Sequence, residues 1–264
     1  MSRIETYQLP FYFLNRPKTI SVYLPESYDI NKRKVLPVLY MHDGHNLFDP
    51  SLSAFGSIWD VQKTLDHHEK KTGKALIVVG IHVDPIHRYN EYSPWPTENL
   101  QSFISYQTQN VVGGEGEAYI DWIVNELKPF IDTTYRTKKM VSYMAGSSMG
   151  GYISLYAGVR HADTFDKVGV FSPAFWFNEP SIINFLNTSL PSRLGIYMTM
   201  GKKETSDTSK TDFPKIYLNG ARKVSTLLIE KRFINLVYKE YLNGIHSETE
   251  WAKRFPDFIE WLFH

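Results

Sequence analysis

Cysteine is absent from this chain of 264 residues. Its absence removes disulfides, thiolate zinc sites, iron–sulfur clusters and cysteine nucleophiles together. It also suits a reducing cytosol. The first residues, MSRIETYQLPFYFLN, lack a basic region followed by an apolar run, so no secretory signal is expected and the location reads as cytoplasmic. No apolar run approaches the ~20 residues that cross a bilayer, so no membrane partner is expected. An excess charge of one sign is missing too. The 29 Lys and Arg nearly match the 28 Asp and Glu, for a formal net charge of +1. A nucleic-acid binder needs a basic face to neutralise phosphates, so nucleic acid is not an expected partner. There are no internal repeats, no low-complexity tract and no Gly/Ser linker. One domain over residues 1–264 is the simplest expectation.

What is present is an ordinary globular composition, 42% hydrophobic and 22% charged, with enough chain to bury a real core. The N-terminal stretch suggests two antiparallel strands, one of them Thr19 to Leu24. Near-continuous apolar runs follow at Val35 to Met41, Ala75 to Val83, Met140 to Ala145, Val168 to Phe171, Leu194 to Met200 and Phe233 to Tyr238. Runs of this length read as parallel strands covered on both faces. Helical spacing lies between them, at Ser57 to Lys71, Tyr119 to Ile131, Ser148 to Val159, Phe213 to Glu230 and Glu248 to Phe263. The alternation predicts an α/β fold with a mainly parallel sheet, whose ligands sit at the C-terminal strand ends. Asp84 to Gly116 breaks the pattern. It is too long and too aromatic for an idle connection and reads as an ordered wall or lid of a pocket.

The sharpest motif is Gly146-Ser147-Ser148-Met149-Gly150, a G-x-S-x-G between a strand and a helix. Such a corner is tight, and side chains in place of the glycines would clash with strand and helix. Ser148 Oγ would project into the cleft as a nucleophile; the bland alternative is a glycine-rich turn with a capping Ser. A serine nucleophile needs a base, and imidazole can take and return a proton at neutral pH. In the chain order Ser, acid, His, the base follows the last strand, where His246 stands. The acid should follow Leu194 to Met200. Glu204 stands there, with Asp207 as its rival. An oxyanion hole needs two backbone N–H donors. Met149 would supply one, and His45 the other, with Gly44 as the fallback. His42, Asp43, His45 and Asp49 also invite a metal reading, as do His82, Asp84 and His87. Their spacings match no zinc motif and a serine elbow needs no metal, so neither a metal nor another cofactor is expected.

These residues resemble the putative-esterase family of α/β-hydrolases, which includes esterase D-like enzymes, feruloyl esterase domains, enterochelin (siderophore trilactone) esterases and mycolyltransferases. The resemblance covers nearly the whole chain. It rests on Val38 to Asp49, Arg88 to Trp95, Glu126 to Asp132 before Tyr135-Arg136-Thr137, Gly146 to Gly151, Phe171 to Trp176 and Gly244-Ile245-His246. It implies an eight-stranded, mostly parallel sheet without a large helical cap. It places the nucleophile on Ser148, the base on His246 and the acid on Glu204. Pocket walls would come from the Asp84–Gly116 segment and the residues around Trp176, with Arg88, Tyr92 and Trp95 as candidates. The expectation is a serine carboxylic-ester hydrolase acting on a small short-acyl or aryl ester. The alternatives are a siderophore trilactone esterase, a thioesterase like S-formylglutathione hydrolase, and a non-catalytic binding protein on the same fold. The missing secretory signal weakens a polysaccharide-degrading role.

Overall fold

The computed structural model describes residues 1–53, 56–98, 100–105 and 111–264. Eight strands form its sheet: β1 (Arg3–Phe11), β2 (Arg16–Leu24), β3 (Leu36–His42), β4 (Ile77–Ile81), β5 (Thr137–Ser147), β6 (Lys167–Phe171), β7 (Gly195–Gly201) and β8 (Leu236–Tyr241). Their order across the sheet is β1-β2-β4-β3-β5-β6-β7-β8. The helices are α1 (Glu26–Ile30), α2 (Val61–Thr72), α3 (Arg88–Glu91), α4 (Leu100–Phe103), α5 (Gly116–Trp122), α6 (Lys128–Thr134), α7 (Met149–Arg160), α8 (Glu179–Ser189), α9 (Phe213–Glu230) and α10 (Glu248–Leu262). The chain groups into two compact units. One holds Met1–Asp84, Asp121–Met144 and Ser247–His264; the other holds Pro85–Ile120 and Ala145–His246.

In the first unit β1 pairs antiparallel with β2, and β2 antiparallel with β4. Strand β3 runs parallel to β4, with His42 opposite Ile81. Every residue of β4 is buried, as the continuous apolar run requires of a strand covered on both faces. The expected helix at Tyr119 to Ile131 is present but interrupted: a π-turn spans Ile123–Leu127 between α5 and α6. Pro129 explains it, because it has no N–H to return to the carbonyl of Asn125, and a wider turn absorbs the missing bond.

In the second unit β6, β7 and β8 are parallel. Lys167 faces Gly195 in one pair, and Gly201 faces Tyr241 in the other. Helix α7 is buried along nearly its whole length, so its apolar residues go all round rather than along one stripe.

Two expected boundaries shift, each for a local reason. The helix expected from Ser57 begins at Val61, because Asp60 takes a left-handed φ of 51° that no helix continues through. The strand expected at Phe233 begins at Leu236. Arg232 is left-handed at φ 56°, and the Phe233 N–H closes back on the Leu228 carbonyl at 2.9 Å, so this apolar pair ends α9 instead of starting β8. Helix α8 has no counterpart in the sequence reading. Asn178 caps it by accepting from the Ser181 N–H at 3.3 Å, and only Ile182 and Leu186 of its face are buried. The Asp84–Gly116 segment carries α3, α4 and a bridge between Thr97 and Val112, while Asn99 and residues 106–110 lie outside the described residues.

Candidate active site

Four consecutive strand ends carry the candidate residues of the second unit: Ser148 after β5, Ser172 after β6, Glu204 after β7 and His246 after β8. Each sits where the α/β architecture places ligands, at the C-terminal edge.

Ser148 occupies the strand-to-helix corner with φ 58° and ψ −121°, a conformation that L-residues rarely adopt. Its N–H donates to the Phe171 carbonyl at 2.9 Å. Its own carbonyl accepts from Tyr152 at 3.0 Å and Ala174 at 3.1 Å. These bonds pin the corner against β6 and the turn beyond it. The glycines have a steric reason. A Cβ on Gly146 would stand 2.7 Å from the Gly150 carbonyl carbon, and one on Gly151 3.0 Å from the Phe171 carbonyl oxygen. Met149 is the first residue of α7, so its N–H belongs to the group that a helix leaves without an internal acceptor.

Glu204 is fully buried. Its Oε2 lies 2.8 Å from His246 Nδ1. Its Oε1 accepts from Ser172 Oγ at 2.5 Å and from the Gly201 N–H at 2.9 Å. The two loops that bring acid and imidazole together are tied by backbone bonds. Lys202 N–H donates to the Tyr241 carbonyl, and Lys203 N–H to the Gly244 carbonyl, each at 2.9 Å. Gly201 makes the approach feasible, because a Cβ there would fall 2.4 Å from the Gly244 oxygen and 2.5 Å from Glu204 Oε1. With Nδ1 facing a carboxylate, the imidazole proton sits on Nδ1 and Nε2 is left as the basic nitrogen.

Asp207, the rival acid, is engaged elsewhere. It accepts from the Ser105 N–H at 2.9 Å and Oγ at 2.6 Å, and from the Ser209 N–H at 2.9 Å and Oγ at 2.6 Å. These bonds, the Ser105 and Ser209 hydroxyls first, hold its carboxyl well below the usual range. Asp207 thus fastens the segment after α4 to the β7 loop.

His45 lies in the first unit, in the 3-10 turn Gly44–Asn46 directly after β3. Asp43 enters that turn at φ 54°, and Gly44 packs so closely that a Cβ would be 2.6 Å from the His82 ring. His82 Nε2 and Ser21 Oγ are 2.8 Å apart. Burial, reinforced by His45, pulls the His82 pKa down to about 4, so its imidazole is neutral at pH 7. Among the described residues no group of three or more His, Asp or Glu is placed to hold a metal ion.

The expected wall residues separate. Trp176 is buried among Phe103, Phe177, Phe213 and Tyr217, with ring centroids 5.3–6.3 Å away. Trp95 packs edge-on against Tyr152, Tyr156 and Phe185. Tyr92 is wholly buried, its ring 5.5 Å from that of Tyr119, and the Arg88 guanidinium lies 5.2 Å from the Tyr92 ring centre. A cleft of about 590 Å³ opens beside Trp176, lined also by Phe103, Phe177, Ile216, Glu98 and Glu179. The sequence reading assigned no role to Ser172 or Tyr217. Ser172 stands inside the Phe171 to Trp176 motif, with a left-handed φ of 43°.

A mostly parallel eight-stranded sheet with an elbow serine at a strand end is the α/β-hydrolase architecture. The chain belongs to the putative esterase family, whose model matches residues 13–262, and ester hydrolysis is the reaction class of that family. It is 26% identical over 251 residues to the uncharacterized protein YbbA of Bacillus subtilis (strain 168), covering 93% of this chain and 92% of that one. It is 24% identical over 159 residues to the ferri-bacillibactin esterase BesA of the same organism, covering 56% and 50%. The fold superposes on that of a ferulic acid esterase with a TM-score of 0.74 and 19% identity, covering 99% of this chain and 98% of the other. No helix among the described residues is long and apolar enough to cross a membrane.

Proposed function

We propose that this protein is a serine carboxylic-ester hydrolase that works through an acyl-enzyme as one esterase domain, with Ser148, His246 and Glu204 as its triad. The observation that carries the reading is the bond from His246 Nδ1 to the buried, doubly held Glu204, in the unit that also contains the strained Ser148 corner. His246 Nε2 takes the Ser148 proton as Oγ attacks the ester carbonyl. Glu204 holds the tautomer and stabilises the imidazolium without taking the proton. The developing oxyanion is assigned to the Met149 N–H at the start of α7. His246 then protonates the leaving alkoxide. Water, activated by the same nitrogen, resolves the ester on Ser148. No cofactor enters this scheme.

The cleft beside Trp176, whose ring packs on Tyr217 as Tyr217 packs on His246, supports an aryl or short acyl group. Its aromatic walls favour flat apolar rings. A siderophore trilactone esterase is the second reading, because one relative is named a ferri-bacillibactin esterase.

Hydrolysis of p-nitrophenyl acetate and butyrate, with and without EDTA, by the wild type and Ser148→Ala tests the proposal. The expected result is turnover indifferent to EDTA that falls by about 10³-fold or more in the variant. Equal rates in the two proteins would remove Ser148 from the mechanism. No turnover of either ester, with no labelling by a fluorophosphonate, would favour a binding protein. Preference for thioesters over their oxygen counterparts would move the assignment to a thioesterase.

A further inference from the structure

Asn46 ends the 3-10 turn after β3 and is buried. Its Nδ2 donates to Glu248 Oε1 at 3.1 Å, across 202 residues of chain and away from water. Glu248 is itself buried, at the first position of α10. A second set of contacts runs beside this bond. The Asn46 carbonyl accepts from the Trp59 N–H at 2.9 Å. The Trp59 ring packs on Trp251 and Phe255 of α10, with centroids 5.7 Å away in each case. These three rings would hold this end of α10 by burial alone. A buried carboxyl and amide add a desolvation cost that apolar residues of the same size would not carry. What the directional bond contributes is a fixed register for the helix start.

That register matters because of what precedes the helix. Ser247 is extended and caps α10. Its Oγ accepts from the Glu250 N–H at 3.4 Å and its carbonyl from the Trp251 N–H at 3.1 Å. His246 is the residue before it. On the other side of His246, the Gly244 carbonyl is held by the Lys203 N–H at 2.9 Å. The backbone that carries the imidazole is therefore tied at Gly244 to the β7 loop and at Ser247 to α10. Resting on the serine-esterase reading, we propose that Asn46 and Glu248 are positioning residues of the reaction: their buried bond sets the start of α10 and, through Ser247, the place from which His246 meets Glu204 Oε2. Neither residue touches substrate or moves a proton. A displacement of Glu248 passes along two peptide units to His246, and misplacing a reacting group by about 1 Å can cost about 10²-fold in rate.

The test compares wild type, Asn46→Ala, Asn46→Asp, Glu248→Gln and the exchanged pair Asn46→Asp/Glu248→Gln, all well below their thermal midpoints. Three quantities are read: kcat and KM for p-nitrophenyl acetate, the second-order rate of fluorophosphonate labelling at Ser148, and the thermal midpoint. Asn46→Ala and Asn46→Asp both remove the donor. In each, kcat and the labelling rate should fall together by about tenfold, the scale of one lost hydrogen bond, with KM within about twofold. Glu248→Gln keeps an oxygen that can accept from Asn46 Nδ2, so its rates should stay within about threefold of wild type. The exchanged pair puts the donor on residue 248 and the acceptor on residue 46, and should recover to the same level. The three variants that keep the side-chain size guard against simple loss of the fold. If both Asn46 variants label and turn over at wild-type rates, or change only the midpoint, the proposal is overturned while the esterase reading stands. An exchanged pair no faster than Asn46→Asp alone would overturn it as well. If the wild type is itself not labelled at Ser148, the esterase reading falls and takes this role with it.

Discussion

Glu204 presents one oxygen to His246 Nδ1 at 2.8 Å while Ser172 and Gly201 hold the other, so the carboxylate is fixed on both sides. A carboxylate buried this way is compensated by three donors, and it can orient only one histidine tautomer. Glu204→Gln keeps the shape and removes the charge. It should cost about 10²–10⁴-fold in kcat for p-nitrophenyl esters with KM little changed. Asp207→Asn should stay within about threefold of wild-type kcat and lower the thermal midpoint, because that side chain ties Ser105 to Ser209. Steady-state kinetics on the two variants, side by side, separates the acid from its neighbour.

Ser172 combines a hydroxyl bonded to Glu204 with a left-handed backbone. Ala and Gly substitutions pull these apart. Both remove the bond to Glu204 and should lower kcat by about three- to tenfold. The Gly variant tolerates the positive φ, and should be more stable than the Ala variant by about 1 kcal/mol. Denaturant unfolding of the pair, beside their kinetics, checks both halves. Equal stabilities would show that the φ of 43° carries no strain.

Gly201 marks where the β7 and β8 loops touch. In Gly201→Ala the new methyl meets the Gly244 oxygen and Glu204 Oε1 at under 3 Å. The loops must separate, and the bonds that bring Glu204 to His246 lengthen. Activity should fall by about tenfold or more, together with a stability loss of about 1–3 kcal/mol. A variant as active and as stable as wild type would mean that the two loops are not held this closely.

Much of this site was legible in the chain alone, for specific reasons. The elbow around Ser148 is a local steric device, so its glycines write it into five consecutive residues. The nearness of Glu204 to His246 follows from their places just after the neighbouring strands β7 and β8. Phe213–Glu230 matches its expected bounds because a regular stripe of Phe213, Tyr217, Ala221, Val224 and Leu228 is buried along it. Ser172 and Tyr217 were not legible. A serine after a strand and a tyrosine in a helical stripe look the same whether they face a carboxylate, an imidazole or the core. Only the pairing of non-adjacent loops separates those cases. Helix α8 escaped for a related reason: its two buried positions make too thin a stripe to stand out.

His82 gives the fold a dependence on acid that is independent of the chemistry. Its pKa is about 4 in the folded protein against an ordinary value of 6.5. Between those values the unfolded chain binds a proton that the folded one refuses, so stability is full above about pH 6.5 and is lost as the pH falls toward 4. The loss is of the order of 2–3 kcal/mol. His82→Asn should flatten that part of the pH–stability curve while leaving the rest of its shape. The check is the thermal midpoint of both proteins from pH 7.5 to 4. Parallel curves would mean that His82 titrates normally in the folded state.

The most direct test is to trap the covalent intermediate. Wild-type protein is mixed with p-nitrophenyl acetate, quenched in acid within the first turnovers, digested and mapped by mass spectrometry. One acetyl group on the peptide that carries Ser148, absent when Ser148→Ala is treated alike, is the predicted result. Ester turnover with the acetyl group on another residue, or with an acetylated peptide equally present in Ser148→Ala, would contradict the account.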